Sequence, residues 1–191
     1  LQHLRSLLGI EKKARTRNKA VLYNKNQTFI HVIEALDGQL ITPKLLLRPK
    51  VIDQKIVSNT QDDILKIAVI NRYFNAPVAI SFVKNFGLKK GAIASSVAHD
   101  SHNIIAVGVN DQDICKAVNT IIKNKGGICA INGNKKIVLP LPIAGIISDR
   151  EYKWVAKKYG FKSGLEESIS QQIEGRGIEV KYESEEVSYV I

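Results

Sequence analysis

The chain is 191 residues long, 45% apolar and 24% charged, and carries a formal charge of +10, a composition that fits an ordinary globular protein with one core. No apolar run reaches the roughly 20 residues of a membrane-spanning helix, which weighs against a membrane role. The positive charge raises nucleic acid as a partner, but much of it lies in Lys12, Lys13, Arg15, Arg17 and Lys19; no aromatic residues alternate with it as stacking platforms, so a solvated basic tail is the preferred reading.

Leu1, Leu4, Leu7 and Leu8 fall at helical spacing, and the basic run and an Asn/Lys-rich stretch follow, so residues 1–28 read as a basic helix and linker. Gln2, His3 and Arg5 interrupt the leucines, so no signal peptide is read. Cys115 and Cys129 form no C-x-x-C pair and read as reduced thiols, which makes the cytoplasm the expected compartment. The chain has no methionine and opens on Leu1, from which a piece of a longer polypeptide is expected.

The main domain is expected over 29–159. Phe29–Glu34 predicts a strand ending near the Asp37-Gly38 turn, and Ile64–Arg72 predicts a strand with at least one buried face. Val78–Val83 is its expected antiparallel partner across Asn75-Ala76-Pro77, and Ala92–Ala98 and Ile104–Val109 predict two more strands. Ile114, Ala117, Val118, Ile121 and Ile122 share one helical face, with Asn110 or Asp111 as the cap and Gly126-Gly127 as the stop. Ile128–Ile131 and Lys135–Leu139 flank Asn132-Gly133, a dipeptide favoured in type I′ hairpins. Pro140 and Pro142 force an extended segment, and a helix is expected at about 150–159. Residues 160–191 read as a divergent tail with a short helical pattern at Leu165–Ile173 and a strand at Ile178–Tyr182. Strands and helices mix without βαβ alternation, so the expected class is α+β: a mixed or mostly antiparallel sheet with helices packed on one side.

Two of the four histidines lie in His99-Asp-Ser-His-Asn103. Imidazole and carboxylate in that density fit metal ligation, or acid–base work by His99 or His102 with Asp100 orienting the ring. An amide such as Asn103 offers donor and acceptor to the edge of a polar heterocycle. The same residues also suit a tight turn that satisfies backbone groups between two buried strands. A third or fourth metal ligand has no obvious spacing, because His3 and His31 are remote. Gly87 and Gly91 with Ala92, Ala94, Ser95 and Ser96 read as tight strand packing, since the phosphate-loop order is absent. The carboxylate pairs Asp62-Asp63 and Glu185-Glu186 read as surface or turn charges.

The stretches His31–Thr42, Asp63–Tyr73, Phe86–Asn103 and Leu139–Asp149, in that order, resemble the carboxy-terminal domain of bacterial adenine deaminases of the amidohydrolase superfamily. The resemblance implies hydrolytic deamination of adenine to hypoxanthine and ammonia in purine metabolism. It also implies an amino-terminal amidohydrolase barrel that holds manganese or iron through an H-x-H pair, and a homo-oligomer at full length. This chain has no H-x-H pair, so no metal ligands are assigned here and the isolated chain is expected to be inactive. On this resemblance His99, Asp100 and His102 are the candidate catalytic residues, and Asn103 and Ser101 the candidate substrate-binding ones, in a loop facing the barrel. The alternative is a catalytically silent accessory or purine-binding module from a truncated adenine deaminase.

Overall fold

The computed structural model describes residues 29–39, 41–98 and 101–159. The helix expected within 1–28, the elements expected after 160, and Glu185-Glu186 lie outside the described residues. Eight strands form one sheet in the order β10-β9-β7-β8-β5-β6-β1-β2. These are β1 Ile30–Glu34, β2 Lys44–Leu47, β5 Ile64–Ile70, β6 Ala79–Lys84, β7 Ala92–Ser95, β8 Ile104–Gly108, β9 Gly127–Asn132 and β10 Lys135–Pro140. Every neighbouring pair is antiparallel except β1 with β6. A separate hairpin pairs β3 Lys50–Ile52 with β4 Lys55–Val57. Among the described residues, helix α1 Asp111–Lys123 lies between β8 and β9, and α2 Tyr152–Tyr159 comes after β10. The expected α+β class is what the chain adopts.

β5 lies centrally and alternates its side chains between two cores. Ala68 joins Ala92, Ala94, Ala106 and Ile104 beneath Ile114, Ala117, Val118 and Ile121 of α1. The four alanines let the helix come close to the sheet, and a Cβ on Gly108 would meet Ile114 Cγ1 at 2.5 Å. Leu65, one residue from Ile64 and Lys66 and so facing the other way, packs with Val83, Leu88 and Val107. Ile56 of the β3–β4 hairpin covers Ile30, Val32, Ile64 and Phe82. Beside α1, the Lys66 ammonium meets the Asp111 carboxylate at 2.5 Å, with the Lys66 side chain 7% exposed.

α1 starts where Asn110 Oδ1 accepts from the Asp113 N–H at 2.8 Å while Asn110 Nδ2 donates to Asp113 Oδ2 at 2.9 Å. The Gly126 N–H closes its far end on the Ile121 carbonyl at 3.0 Å.

Three expectations are corrected. The β9–β10 loop is Gly133-Asn134, because Asn132 pairs with Lys135; of these two only Gly133 has a positive φ, +61°, the pattern of a type II′ turn and not of I′. β5 stops at Ile70, before Arg72, because Asn71 Oδ1 takes the N–H groups of Tyr73 and Phe74 at 2.8 and 3.0 Å. β7 stops at Ser95, before Ala98, where the Ser95 hydroxyl accepts from the Val97 N–H at 2.9 Å. Strands β2, β3 and β4 carry no alternation that marked them in the sequence: KLLL and KVI are half-exposed or exposed edge segments. The close-packing reading of the glycines holds at Gly91, whose φ is +73° and where any Cβ would overlap the Ile131 carbonyl oxygen.

Candidate functional site

Antiparallel pairing brings the end of β5, the start of β8, the end of β7, the start of β9 and the end of β10 to one end of the sheet. The histidine segment enters β8 there, 71–74 leave β5 there, and the 141–149 segment follows β10 there. Of the five residues singled out in the sequence, His99 and Asp100 lie outside the described residues. Ser101 is exposed, and its Oγ accepts from the Asn103 N–H at 3.4 Å. His102 has φ +46°, and its N–H donates to the Ala98 carbonyl at 2.8 Å. Its ring is half-buried, and Nδ1 is shielded from solvent without a hydrogen-bond partner among the described residues. Asn103 Oδ1 accepts from the Arg72 backbone N–H at 3.3 Å. Because Oδ1 is the only acceptor of the side-chain amide, that bond fixes the amide's orientation and turns Nδ2, a two-hydrogen donor, the other way.

Arg72 is the site residue that sequence reasoning misses, since the apolar run places it only as the last residue of a strand. Its guanidinium Nη2 donates to the Ala144 carbonyl. A Cβ on Gly145 would lie 2.5 Å from its Cζ, so only glycine lets the guanidinium lie against that backbone. Cζ also stands 5.3 Å from the Tyr73 ring centroid. Nη1 is shielded from water and has no acceptor among the described residues. Ala144 has φ +53° and Gly145 φ +80°; an alanine there costs about 1 kcal/mol, so surrounding contacts must hold it.

Ser96, fully buried, supplies part of that hold. Its hydroxyl donates to the Gly145 carbonyl at 2.5 Å and accepts from the Gly127 N–H at 2.8 Å. The 143–147 turn closes on itself through Ile143 N–H to Ile147 carbonyl at 3.1 Å and the reverse bond at 3.0 Å. A buried serine between two strand ends is the kind of signal that could have flagged this anchor, but its partners are 31 and 49 residues away. Tyr73, Phe74, Ile143 and Ile147 stand about half exposed at the same sheet end.

The other carboxylates lie elsewhere. Asp63, at the opposite end of β5, accepts from the Gly87 N–H at 2.9 Å and has φ +53°, a turn role like that expected of Asp62-Asp63. Among the described residues no three His, Cys, Asp or Glu side chains converge as a metal-ligand set. The described residues therefore do not fit a manganese or iron ion, and no chemical step is assigned to one here. Among them, too, no helix is long and apolar enough to cross a membrane.

Residues 39–173 match the family model described as the adenine deaminase C-terminal domain. The adenine deaminase of Borreliella afzelii (strain PKo) is 48% identical over 138 residues, 72% of this chain and 25% of that protein. That of Methanosarcina mazei is 52% identical over 130 residues, 68% of this chain and 23% of the relative. That of Sulfurovum sp. (strain NBC37-1) is 54% identical over 128 residues, 67% and 23% of the two chains. The chain thus spans about a quarter of the length of the curated relatives it matches. The family match runs through all the segments that build this sheet end, from β5 to the 141–149 turn, and the chain belongs to the adenine deaminase C-terminal domain family.

Proposed function

We propose that this chain is the carboxy-terminal part of a cytoplasmic adenine deaminase, homo-oligomeric at full length, in purine metabolism. The reaction adds water at C6 of adenine, breaks the exocyclic C–N bond and releases ammonia and hypoxanthine. An amino-terminal amidohydrolase barrel supplies the manganese or iron centre, and the domain at 29–159, between a basic linker at 1–28 and a divergent tail at 160–191, supplies the loop that closes over the purine.

In that loop His102 and Asn103 meet the edge of the base, Asp100 orients an imidazole, His99 supports the loop and Ser101 lines it. The observation that carries this reading is the fixed amide of Asn103. With Oδ1 occupied by the Arg72 N–H, Nδ2 is left to donate to a ring nitrogen, and a purine offers ring nitrogens as acceptors. His102 beside it holds an Nδ1 that no described residue satisfies, and such a buried polar atom is costly unless a partner arrives. The half-exposed Tyr73, Phe74, Ile143 and Ile147 at the same end support docking of this face on the rest of the enzyme.

The test is steady-state kinetics on the full-length enzyme containing this domain. Asn103→Ala should raise KM for adenine about 5–10-fold, the worth of one neutral hydrogen bond. His102→Ala should lower kcat/KM by on the order of 100-fold if the ring exchanges a proton with substrate. Unchanged kinetics in both variants reduces the segment to a structural turn.

A further inference from the structure

We infer that Arg72 is a positioning residue that joins the purine loop to the 143–147 turn, its main-chain N–H orienting Asn103 while its guanidinium grips the turn. The inference rests on the reading above that Asn103 meets the base. Arg72 makes two connections that no other described residue makes together. Its main-chain N–H holds Asn103 Oδ1, 31 residues away, and its guanidinium holds the Ala144 carbonyl, 72 residues away.

A left-handed residue stands at or next to each partner. Asn103 follows His102, which has φ +46°, and Ala144 has φ +53°; these two non-glycine residues in the left-handed region sit at the same end of the sheet. Residues in that region persist only where neighbouring contacts hold them, and such places are frequently functional. The Asn71 side chain pins the turn that follows Arg72, which fixes the main chain from which the Arg72 N–H reaches Asn103 and the side chain reaches Ala144. Gly145, with φ +80°, leaves the space the guanidinium fills, and Ser96 holds the Gly145 carbonyl from beneath at 2.5 Å.

A planar guanidinium presents several donors at once in a fixed fork, which a lysine does not reproduce. One donor is used on Ala144, and Nη1 remains without an acceptor among the described residues. The turn it grips exposes Ile143 and Ile147. Docking of that turn is thereby mechanically tied to the residue that meets the base, and Arg72 needs no contact with the substrate to affect its binding.

The experiment is a double-mutant cycle in the full-length enzyme with Arg72→Met, Asn103→Ala and the pair, reading KM and kcat for adenine separately, with Arg72→Lys as a further single variant. The expected result is a KM raised about 10-fold by Arg72→Met with kcat within about 2-fold. The double variant should then be no more than about 2-fold worse than Asn103→Ala alone. Losses that multiply, or an Arg72→Met enzyme with wild-type KM beside an impaired Asn103→Ala enzyme, overturn the positioning role while leaving the function standing. An Asn103→Ala enzyme with unchanged kinetics overturns both the positioning role and the placement of Asn103 against the base. Should Arg72→Met fail to fold, Arg72→Lys carries the test: it keeps the charge but not the fork, a KM raised at least about 3-fold is expected, and an unchanged KM overturns the role.

Discussion

Replacing Ser96 by alanine removes a single oxygen from a fully buried position and isolates two backbone groups at once. The Gly127 N–H loses its 2.8 Å acceptor and the Gly145 carbonyl its 2.5 Å donor. A buried polar group left without its partner costs about 1–3 kcal/mol. The Gly145 carbonyl can recover some hydration if the 143–147 turn lifts, whereas Gly127, whose backbone is packed against the Leu139 carbonyl, has less room to move. The expected total is therefore about 2–4 kcal/mol, and the methyl group that remains leaves little void to add to it. Urea unfolding followed by circular dichroism measures this. With a slope of about 1–3 kcal/mol per molar urea, the midpoint should fall by on the order of 1 M without a change in slope. Hydrogen exchange at the Gly127 amide should accelerate in parallel. A loss below about 0.5 kcal/mol with Gly127 still protected would refute the idea that this hydroxyl anchors the sheet end.

Burial pushes the Cys129 thiol up to about 12 from its ordinary 9.0, against a smaller lowering by the Ala94 backbone. Between those values the unfolded chain ionises its thiol while the folded chain does not, so this contribution is complete below pH 9 and declines as pH rises. From pH 8 to pH 10 the decline is about 1.4 kcal/mol, and Cys129→Ala should lack it; a wild-type minus variant stability difference that does not change with pH defeats the prediction. Asp111→Asn leaves the Lys66 ammonium, 7% exposed, without its partner carboxylate, which is itself 37% exposed. Water reaching that side discounts the cost of breaking a buried pair to about 1–3 kcal/mol, and Lys66→Met added to Asp111→Asn should return most of it. Equal stability of Asp111→Asn and wild type in urea melts would show that water already solvates Lys66.

How far the sequence could be read depended on how local each determinant is. α1 was legible because Asn110, the apolar face from Ile114 to Ile121 and the following glycines all lie within one short stretch and interact with one another. β5 and β6 were legible as antiparallel neighbours because both are largely apolar runs separated by a turn-favouring Asn75-Ala76-Pro77 connection. The β9–β10 hairpin was expected, but its register was off by one: Asn132-Gly133 and Gly133-Asn134 both suit tight turns, and the choice belongs to the cross-strand packing of Val138 with Cys129 and Leu139 with Ile128. The edge and hairpin strands β2 to β4 escaped notice because strands of three or four residues leave no periodic trace.

The sequence by itself determined the α+β class, the best-formed helix, the central antiparallel pair and, through long shared segments, the family. It also pointed to His99–Asn103 as the segment where chemistry concentrates. Only the tertiary structure decided what surrounds the described part of that segment. Arg72 reaches Asn103 and Ala144 across 31 and 72 residues, and Ser96 reaches Gly127 and Gly145 across 31 and 49. Contacts of that span arise because antiparallel strands return distant segments to the same sheet end, and neither hydrophobic periodicity nor turn composition encodes which side chain will face which carbonyl there.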